Sequence, residues 1–238
     1  MSDDLALSLP LAPSPAPPVQ RPDRLLALPG VYRPDDDSWL LAEMIAREPL
    51  AGADAVDLCT GSGVLAVTAG LAGGQVTAVD VCRRAVATAR WNLRRHDVRG
   101  RVVRGALFEP LGERRYDAIV ANPPYVPAAR AASPSRGPRR AWDAGRDGRI
   151  VLDRLCAEAP RRLRPGGRVL LVQSEVADVP RTLEQLADGG LAPEVVARRA
   201  VPFGPVMRRR AARLVEHGLL PPGRRHEELV VVRAEAPR

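Results

Sequence analysis

Short apolar runs alternate with stretches of helical period along most of the chain. Residues 53–58 (Ala-Asp-Ala-Val-Asp-Leu) predict a first strand and residues 75–80 (Gln-Val-Thr-Ala-Val-Asp) a second. Further strands are expected at 101–105, 116–121, 168–173 and 194–199, with a last one at 228–233. Between them, apolar positions recur at helical spacing over 39–46, 64–71, 83–96, 150–163, 179–187 and 203–218, the last being a basic segment. Strands alternating with helices, then two strands without a full crossover, predict an α/β fold. The expected sheet is doubly wound, seven-stranded and mostly parallel, with an antiparallel last strand.

Proline, glycine and acidic clusters set the boundaries. Residues 1–28 carry Pro10, Pro13, Pro15, Pro17, Pro18 and Pro22 among Ala, Ser and Leu, a composition that forms neither helix nor central strand. They are expected to be a disordered tail, with one domain over 29–238. A turn at residues 30–34 leads to Asp35-Asp36-Asp37-Ser38, a helix-start signal. Asp35 or Asp36 suits a cap. Asp37 and Ser38 become functional candidates if that helix end faces the ligand cleft. Residues 128–149 are polar and contain Pro134, Gly137, Pro138, Gly145 and Gly148. They read either as a substrate loop, with Trp142, Asp143, Arg146 and Asp147 as contacts, or as a merely solvated loop. Arg164-Pro165-Gly166-Gly167 is expected to close one helix, and Gly189-Gly190 the next. No internal repeat is visible.

Composition narrows the partners. At 238 residues and 45% hydrophobic content the chain can bury one full core, and with 3% aromatics that core must be Leu, Val and Ala. No apolar run is long enough to span a membrane. The opening Met1-Ser2-Asp3-Asp4 is acidic where an export signal is basic. The net charge of +8 raises the question of nucleic acid. The basic residues are all arginine, in pairs such as Arg83-Arg84, Arg94-Arg95 and Arg161-Arg162 spread along the chain, which favours solvated faces over one nucleic-acid groove. Cys59, Cys82 and Cys156 offer no zinc-ligand spacing, and an odd count fits a reduced, cytosolic protein. His96, His217 and His226 are scattered, and none neighbours a nucleophile motif.

Candidate chemistry collects where strands end. The fourth strand runs into Asn122-Pro123-Pro124-Tyr125. Two prolines lock φ and remove two backbone donors, so the corner is stiff. The Asn122 side-chain oxygen and the Pro123 carbonyl are two acceptors suited to a planar –NH2 group, and the Tyr125 ring can stack on the same group. The alternative is a plain Pro-Pro turn with an Asn cap. After the first strand comes Cys59-Thr60-Gly61-Ser62-Gly63, a strand–glycine turn–helix opening in which Gly61 and Gly63 permit close approach of a ligand. Asp80 ends the second strand, where an acid can accept both hydroxyls of a ribose. Ribose recognition fits a dinucleotide or S-adenosylmethionine; the alternative for Asp80 is a helix cap.

The ordered set VDLCTGSG, VTAVD, ALFEPL and YDAIVANPPYVP resembles the HemK-type class I methyltransferases, S-adenosylmethionine-dependent enzymes that methylate glutamine side-chain amides. VYRPDDDSWLL and RAWDAGRDGR are similar to the shorter branch with release-factor glutamine methyltransferases, which lacks a large N-terminal helical substrate domain. The resemblance covers roughly residues 30–235 and implies a Rossmann-like class I methyltransferase fold. It further implies that Ser38 touches the methionine end of the cofactor. Asp57, Cys59 (through its backbone), Gly61 and Gly63 would line the methionine and ribose region, Asp80 would hold the ribose hydroxyls, and Leu107 would face adenine. Asn122 and the Pro123 carbonyl would hold the target amide, Pro124 stiffening the corner and Tyr125 packing on the amide. Ala106 departs from the family, which usually has Asp there accepting from the adenine amino group; losing that bond costs on the order of 1 kcal/mol.

The expected reaction is methyl transfer to a planar nitrogen whose lone pair is delocalised. Two acceptors would orient the N–H bonds and stabilise the developing positive charge. The expected partner is a protein bearing a glutamine, such as a translation factor, together with a small activating subunit as in some relatives; no membrane is expected. Alternatives are an exocyclic amine of DNA or RNA, a small-molecule amine, and a non-catalytic binding module on the same fold.

Overall fold

The computed structural model describes residues 22–128 and 138–238. Seven strands form one sheet in the order β3-β2-β1-β4-β5-β7-β6. They are β1 (Asp54–Leu58), β2 (Gln75–Asp80), β3 (Gly100–Arg104), β4 (Tyr116–Ala121), β5 (Leu163–Ser174), β6 (Ala192–Pro202) and β7 (His226–Glu235). The pairs β1–β2, β1–β4, β2–β3 and β4–β5 are parallel, and β7 runs antiparallel to both β5 and β6. The expected architecture is therefore present.

The helices are α1 (Asp36–Ile45), α2 (Val64–Leu71), α3 (Arg83–Arg95), α4 (Ile150–Arg162), α5 (Val179–Asp188) and α6 (Pro205–Glu216). Helix α2 packs between α1 and α3, and α4 packs on α5. Central strands are buried end to end: Ala55, Val56, Leu58, Ile119, Val120, Val169, Leu171 and Val230 to Val232 have essentially no exposure. Small aliphatic side chains fill the core, as the low aromatic content requires. Helix α1 starts with Asp35 accepting from the Asp36 N–H at 3.0 Å, a cap that offsets one orphan donor.

Three local expectations are revised. Residues 164–167 do not close a helix: α4 ends at Arg162, and β5 runs through Pro165-Gly166-Gly167. The Pro-Gly-Gly segment is absorbed as an irregularity, because Leu163 pairs with Tyr116 while the next pair is Ala118 with Arg168. The sixth strand extends from Ala192 to Pro202, since an antiparallel partner along its whole length satisfies its backbone. Within the expected tail, residues 22–28 run beside α3. The Leu26 N–H donates to Asn92 Oδ1 at 2.9 Å, Asn92 Nδ2 returns a bond to the Leu26 carbonyl at 2.9 Å, and His96 Nε2 meets the Asp23 carbonyl at 2.9 Å. Residues 1–21 lie outside the described residues. Among the described residues no helix is long and apolar enough to cross a membrane.

Candidate active site

A cleft of about 790 Å³ opens along the carboxyl edge of the parallel strands. Open α/β sheets place ligands at this edge, because strand-end loops diverge there and leave backbone groups unpaired. One side is built from the glycine turn after β1, the end of β2 and the start of α3. The other is built from the Asn-Pro-Pro-Tyr corner, the start of α1, the end of β6, the start of α6 and the top of β7.

The glycine turn is held in left-handed backbone at three points: Cys59 at φ 59°, Gly61 at 53° and Gly63 at 85°. A cysteine in that region is uncommon and is sustained here by its neighbours. The Thr60 N–H donates to the Val79 carbonyl at 3.0 Å and the Gly63 N–H to the Thr60 carbonyl at 2.7 Å. Asp80 completes the tie: Oδ2 accepts from the Gly61 N–H at 3.0 Å and Oδ1 from the Cys82 N–H at 2.8 Å. Cys59, Gly61 and Asp80 line the cleft. Burial, then the Asp80 and Asp57 carboxylates, raises the Cys59 thiol far above its ordinary range, so it stays protonated.

Two of the expected cofactor residues sit elsewhere. Asp57 is fully buried beneath the turn, where Oδ2 accepts from Thr60 Oγ1 at 2.5 Å and from the Ala66 N–H at 3.0 Å. It braces the turn and the first turn of α2 without lining the cleft. Burial pushes its carboxyl up to about 7, against the two hydrogen bonds, and among the described residues its Oδ1 has no partner. Gly63 serves packing: a Cβ there would stand 2.9 Å from Ala89 Cα, so the glycine lets α2 start against α3. Leu107 lines the cleft with Gly105, while Ala106 does not.

On the opposite side Asn122 and Ser38 meet. Asn122 Nδ2 donates to Ser38 Oγ at 3.2 Å. That engagement leaves Oδ1 as the Asn122 side-chain acceptor at the cleft. Ser38 is positioned by Asp37, which is 5% exposed and accepts from four donors. These are the Ser38 N–H at 2.5 Å, Ser38 Oγ at 3.1 Å, Tyr125 OH at 2.9 Å and Tyr32 OH at 3.0 Å. Burial, then the Asp37 charge, raises both phenols above their usual range and keeps them as donors. Pro123, Pro124 and Tyr125 all line the cleft, with the Tyr125 hydroxyl committed to Asp37.

The loop after the corner is zipped to it. The Val126 N–H donates to the Trp142 carbonyl at 2.9 Å and the Ala144 N–H to the Val126 carbonyl at 3.2 Å. Arg210 of α6 locks the pair by donating to the Pro127 carbonyl at 2.8 Å and pairing with Asp143. Of the four expected substrate contacts only Trp142 lines the cleft; Asp143 is buried, and Arg146 and Asp147 are exposed. Pro134 and Gly137 of the expected loop lie outside the described residues. Arg149, 1% exposed, clamps α4 to α5 through Asp153, the Asp178 carbonyl, Thr182 and Gln185.

Tyr32 and Glu227 escaped the sequence reading. Tyr32 stood in a segment read only as a turn. Glu227 opens the last strand, and an acid preceding an apolar β-run was its one available signal. Phe203, Met207 and Leu229 complete that wall.

The donor set fits a nucleoside cofactor: a carboxylate gripped by two backbone N–H groups for paired hydroxyls, a side-chain-free Gly61, and apolar Val81 and Leu107 for a flat base. Comparison with known proteins points the same way. Residues 24–134 match the family model described as methyltransferase small domain. A release factor glutamine methyltransferase of Geobacter sulfurreducens is 37% identical over 60% of this chain and 53% of its own length, so the matched part spans about half of that relative. A Methanocaldococcus jannaschii protein provisionally named a protein N5-glutamine methyltransferase is 32% identical over 75% of this chain and 90% of its own length. Among solved structures, the E. cuniculi Mtq2–Trm112 complex, whose activity is methylation of the translation termination factor eRF1, shares the fold. It matches with a TM-score of 0.62 and 22% identity, over 87% of this chain and 99% of that one.

Proposed function

This chain belongs to the HemK-type family of S-adenosylmethionine-dependent class I methyltransferases, and on that premise we propose that it methylates the side-chain amide nitrogen of a glutamine in a protein acceptor. The observation that carries the reading is the Asn122–Ser38 contact. It orients the Asn122 amide at the end of β4, in the same cleft as Asp80 and Gly61.

S-adenosylmethionine supplies an electrophilic methyl group on a sulfonium. Asp80, Gly61 and the Cys59 backbone would hold its ribose side, Ser38 its methionine end, and Leu107 with Gly105 its base. Asn122 Oδ1 and the Pro123 carbonyl accept the two N–H bonds of the target amide. A carboxamide nitrogen is a poor nucleophile because its lone pair is shared with the carbonyl. Fixing both N–H bonds aims that lone pair and stabilises the positive charge that develops on nitrogen, and one of its protons leaves for solvent after the methyl group has been transferred. Pro123 and Pro124 keep the acceptors from relaxing away, so little reorganisation accompanies transfer. Tyr125, Tyr32 and Asp37 hold Ser38, and through it Asn122.

Two features argue for protein over nucleic acid as acceptor. The Geobacter sulfurreducens and Methanocaldococcus jannaschii relatives, 37% and 32% identical, are named for glutamine, as is a Bradyrhizobium diazoefficiens relative at 42%, against one at 35% from Chromohalobacter salexigens that is named a ribosomal RNA methyltransferase. Many arginines are neutralised locally, as in Arg168–Glu48, Arg199–Glu43, Arg210–Asp143 and Arg224–Glu175. A small activating subunit, of the kind present in the E. cuniculi complex, and a cytoplasmic site of action are part of the same reading. The test is incubation of the protein with a cell lysate and methyl-labelled S-adenosylmethionine. Label that is lost to protease, resists nuclease and is released as methylamine on acid hydrolysis supports it. Nuclease-sensitive label overturns it.

A further inference from the structure

Glu227 stands at the top of β7, in register with Val201 of β6. It is 7% exposed and lines the cleft. Among the described residues its Oε2 has no hydrogen-bond partner, whereas the other buried carboxylate of that wall, Asp37, is saturated. A buried acceptor without a donor is a costly feature that native proteins rarely keep without reason. Burial raises its pKa against the pull of the nearby Ser174 hydroxyl, and the charges of Asp37, Glu175 and Asp35 add to the rise, so a further donor is welcome.

Topology says which ligand Glu227 faces. In the order β2-β1-β4-β5-β7, the residues that fit the cofactor's ribose and base lie at the ends of β2 and β1 and in the loop after β3, Ser38 at its methionine end lies in the first turn of α1, and Asn122 ends β4. Glu227 is two strands beyond Asn122 on the side away from the cofactor's ribose and base, roughly 10 Å at about 4.8 Å per strand. A glutamine side chain spans on the order of 5 Å from its amide nitrogen to its own main chain, and a glutamate reaches about as far from its Cα to its carboxylate. The two lengths together bridge the gap. Phe203, Met207 and Leu229 line the same cleft and give it apolar walls, which suits a compact donor. Rotation about the terminal torsion of a glutamate is soft, so either oxygen can turn to the cleft.

The structure assigns to Glu227 a specificity role: its carboxylate anchors a main-chain N–H of the acceptor, at or next to the glutamine that is methylated. This rests on the glutamine reading and adds to it a second point of attachment. The acceptor is thereby required to enter as an extended chain with a free N–H at that position.

The experiment uses the full chain with S-adenosylhomocysteine bound. The probe is the capped tripeptide N-acetyl-Ala-Gln-Ala-methylamide, together with forms N-methylated at the glutamine or the following main-chain amide. Dissociation constants are read by NMR titration. Glu227→Ala is expected to weaken the tripeptide about tenfold, and Glu227→Gln, which keeps the volume, by a smaller factor. Binding of S-adenosylhomocysteine should change less than twofold. One of the N-methylated probes should show the same tenfold loss on the wild-type protein and no further loss on Glu227→Ala; this arm needs no variant to reveal the anchor. Equal tripeptide affinity across wild type and both variants, with N-methylation harmless, overturns the role of Glu227 and leaves the methylation reading standing. An equal loss of S-adenosylhomocysteine places Glu227 on the cofactor side and also overturns it. If the wild type binds S-adenosylhomocysteine but not the tripeptide, the glutamine reading itself falls.

Discussion

The side-chain nitrogen of Asn122 donates to the hydroxyl oxygen of Ser38 at 3.2 Å, across 84 residues of sequence. The bond joins the corner after β4 to the first turn of α1. It decides which end of the Asn122 amide faces Ser38 and so which is left to accept from a target nitrogen. Asn122→Ala is expected to lower kcat by at least about 100-fold with the cofactor dissociation constant nearly unchanged. Ser38→Ala, which frees the amide to rotate and removes the hydroxyl proposed for the methionine end of the cofactor, should lower kcat by about tenfold and weaken cofactor binding as well. Steady-state rates on the labelled acceptor and calorimetry with cofactor read both. Normal turnover by Asn122→Ala would remove this residue from the mechanism.

Asp37 gathers Tyr32, Tyr125 and Ser38 on one carboxylate. Replacing it with Asn swaps one acceptor oxygen for a donor facing hydroxyl hydrogens. Asp37→Asn should destabilise the protein by about 1.5–3 kcal/mol and Tyr125→Phe by about 1 kcal/mol. Urea denaturation measures both, and an Asp37→Asn protein as stable as wild type would show the cluster to be incidental.

Asp57 gives a pH dependence whose sign follows from its burial. Its folded-state carboxyl is raised from 3.8 to about 7. The protonated form is therefore the one the fold prefers. Its contribution is complete below about pH 4 and is lost as pH rises towards 7, amounting to about 4 kcal/mol for a shift of this order. Glu227, also raised, acts in the same direction. Asp57→Asn keeps an acceptor for Thr60 and Ala66 and cannot ionise, so its stability curve between pH 4 and 7 should be flatter than wild type. Parallel curves would assign the pH dependence elsewhere.

Ala106→Asp restores an acceptor beside Leu107 and Gly105, both of which line the cleft. A hydrogen bond to a carboxylate is worth about 1.5–3 kcal/mol, or at least roughly tenfold in cofactor affinity. Calorimetry with S-adenosylmethionine checks this; no gain would place the base away from this loop.

Gly63→Ala separates packing from binding. The added methyl carbon would stand 2.9 Å from Ala89 Cα, at a position with φ of 85°. A loss of about 1–3 kcal/mol is expected from overpacking and backbone strain, with little change in cofactor affinity of the folded protein. A specific loss of binding at unchanged stability would return Gly63 to the cofactor site.

Much of the fold was legible because its signals are local. Apolar runs such as 116–121 and helical periods such as 83–96 depend on neighbours in sequence, and proline fixes its own φ wherever it stands. Pro165-Gly166-Gly167 was misread as a helix stop because a strand irregularity needs a partner strand to exist, and Tyr116 and Ala118 lie about fifty residues earlier. Ser38, Cys59, Gly61, Asp80, Leu107 and Asn122 were named from sequence and all line one cleft. Asp57 and Gly63 stand in the same motif yet face the core and α3, since a strand–turn–helix pattern specifies spacing but not which side each residue presents.

By itself the sequence determined the order of strands and helices, the stiff corner after the fourth strand and the acid after the second. Each follows from covalent geometry and short-range periodicity. Only the tertiary structure decided that Tyr32, Asp37, Tyr125 and Ser38 share one hydrogen-bond cluster, that Asn122 is oriented by it, and that Glu227 reaches the same cleft from the last strand. Those relations join segments up to about two hundred residues apart. Burial and hydrogen bonding between distant segments arise when the sheet closes, and no local pattern encodes them.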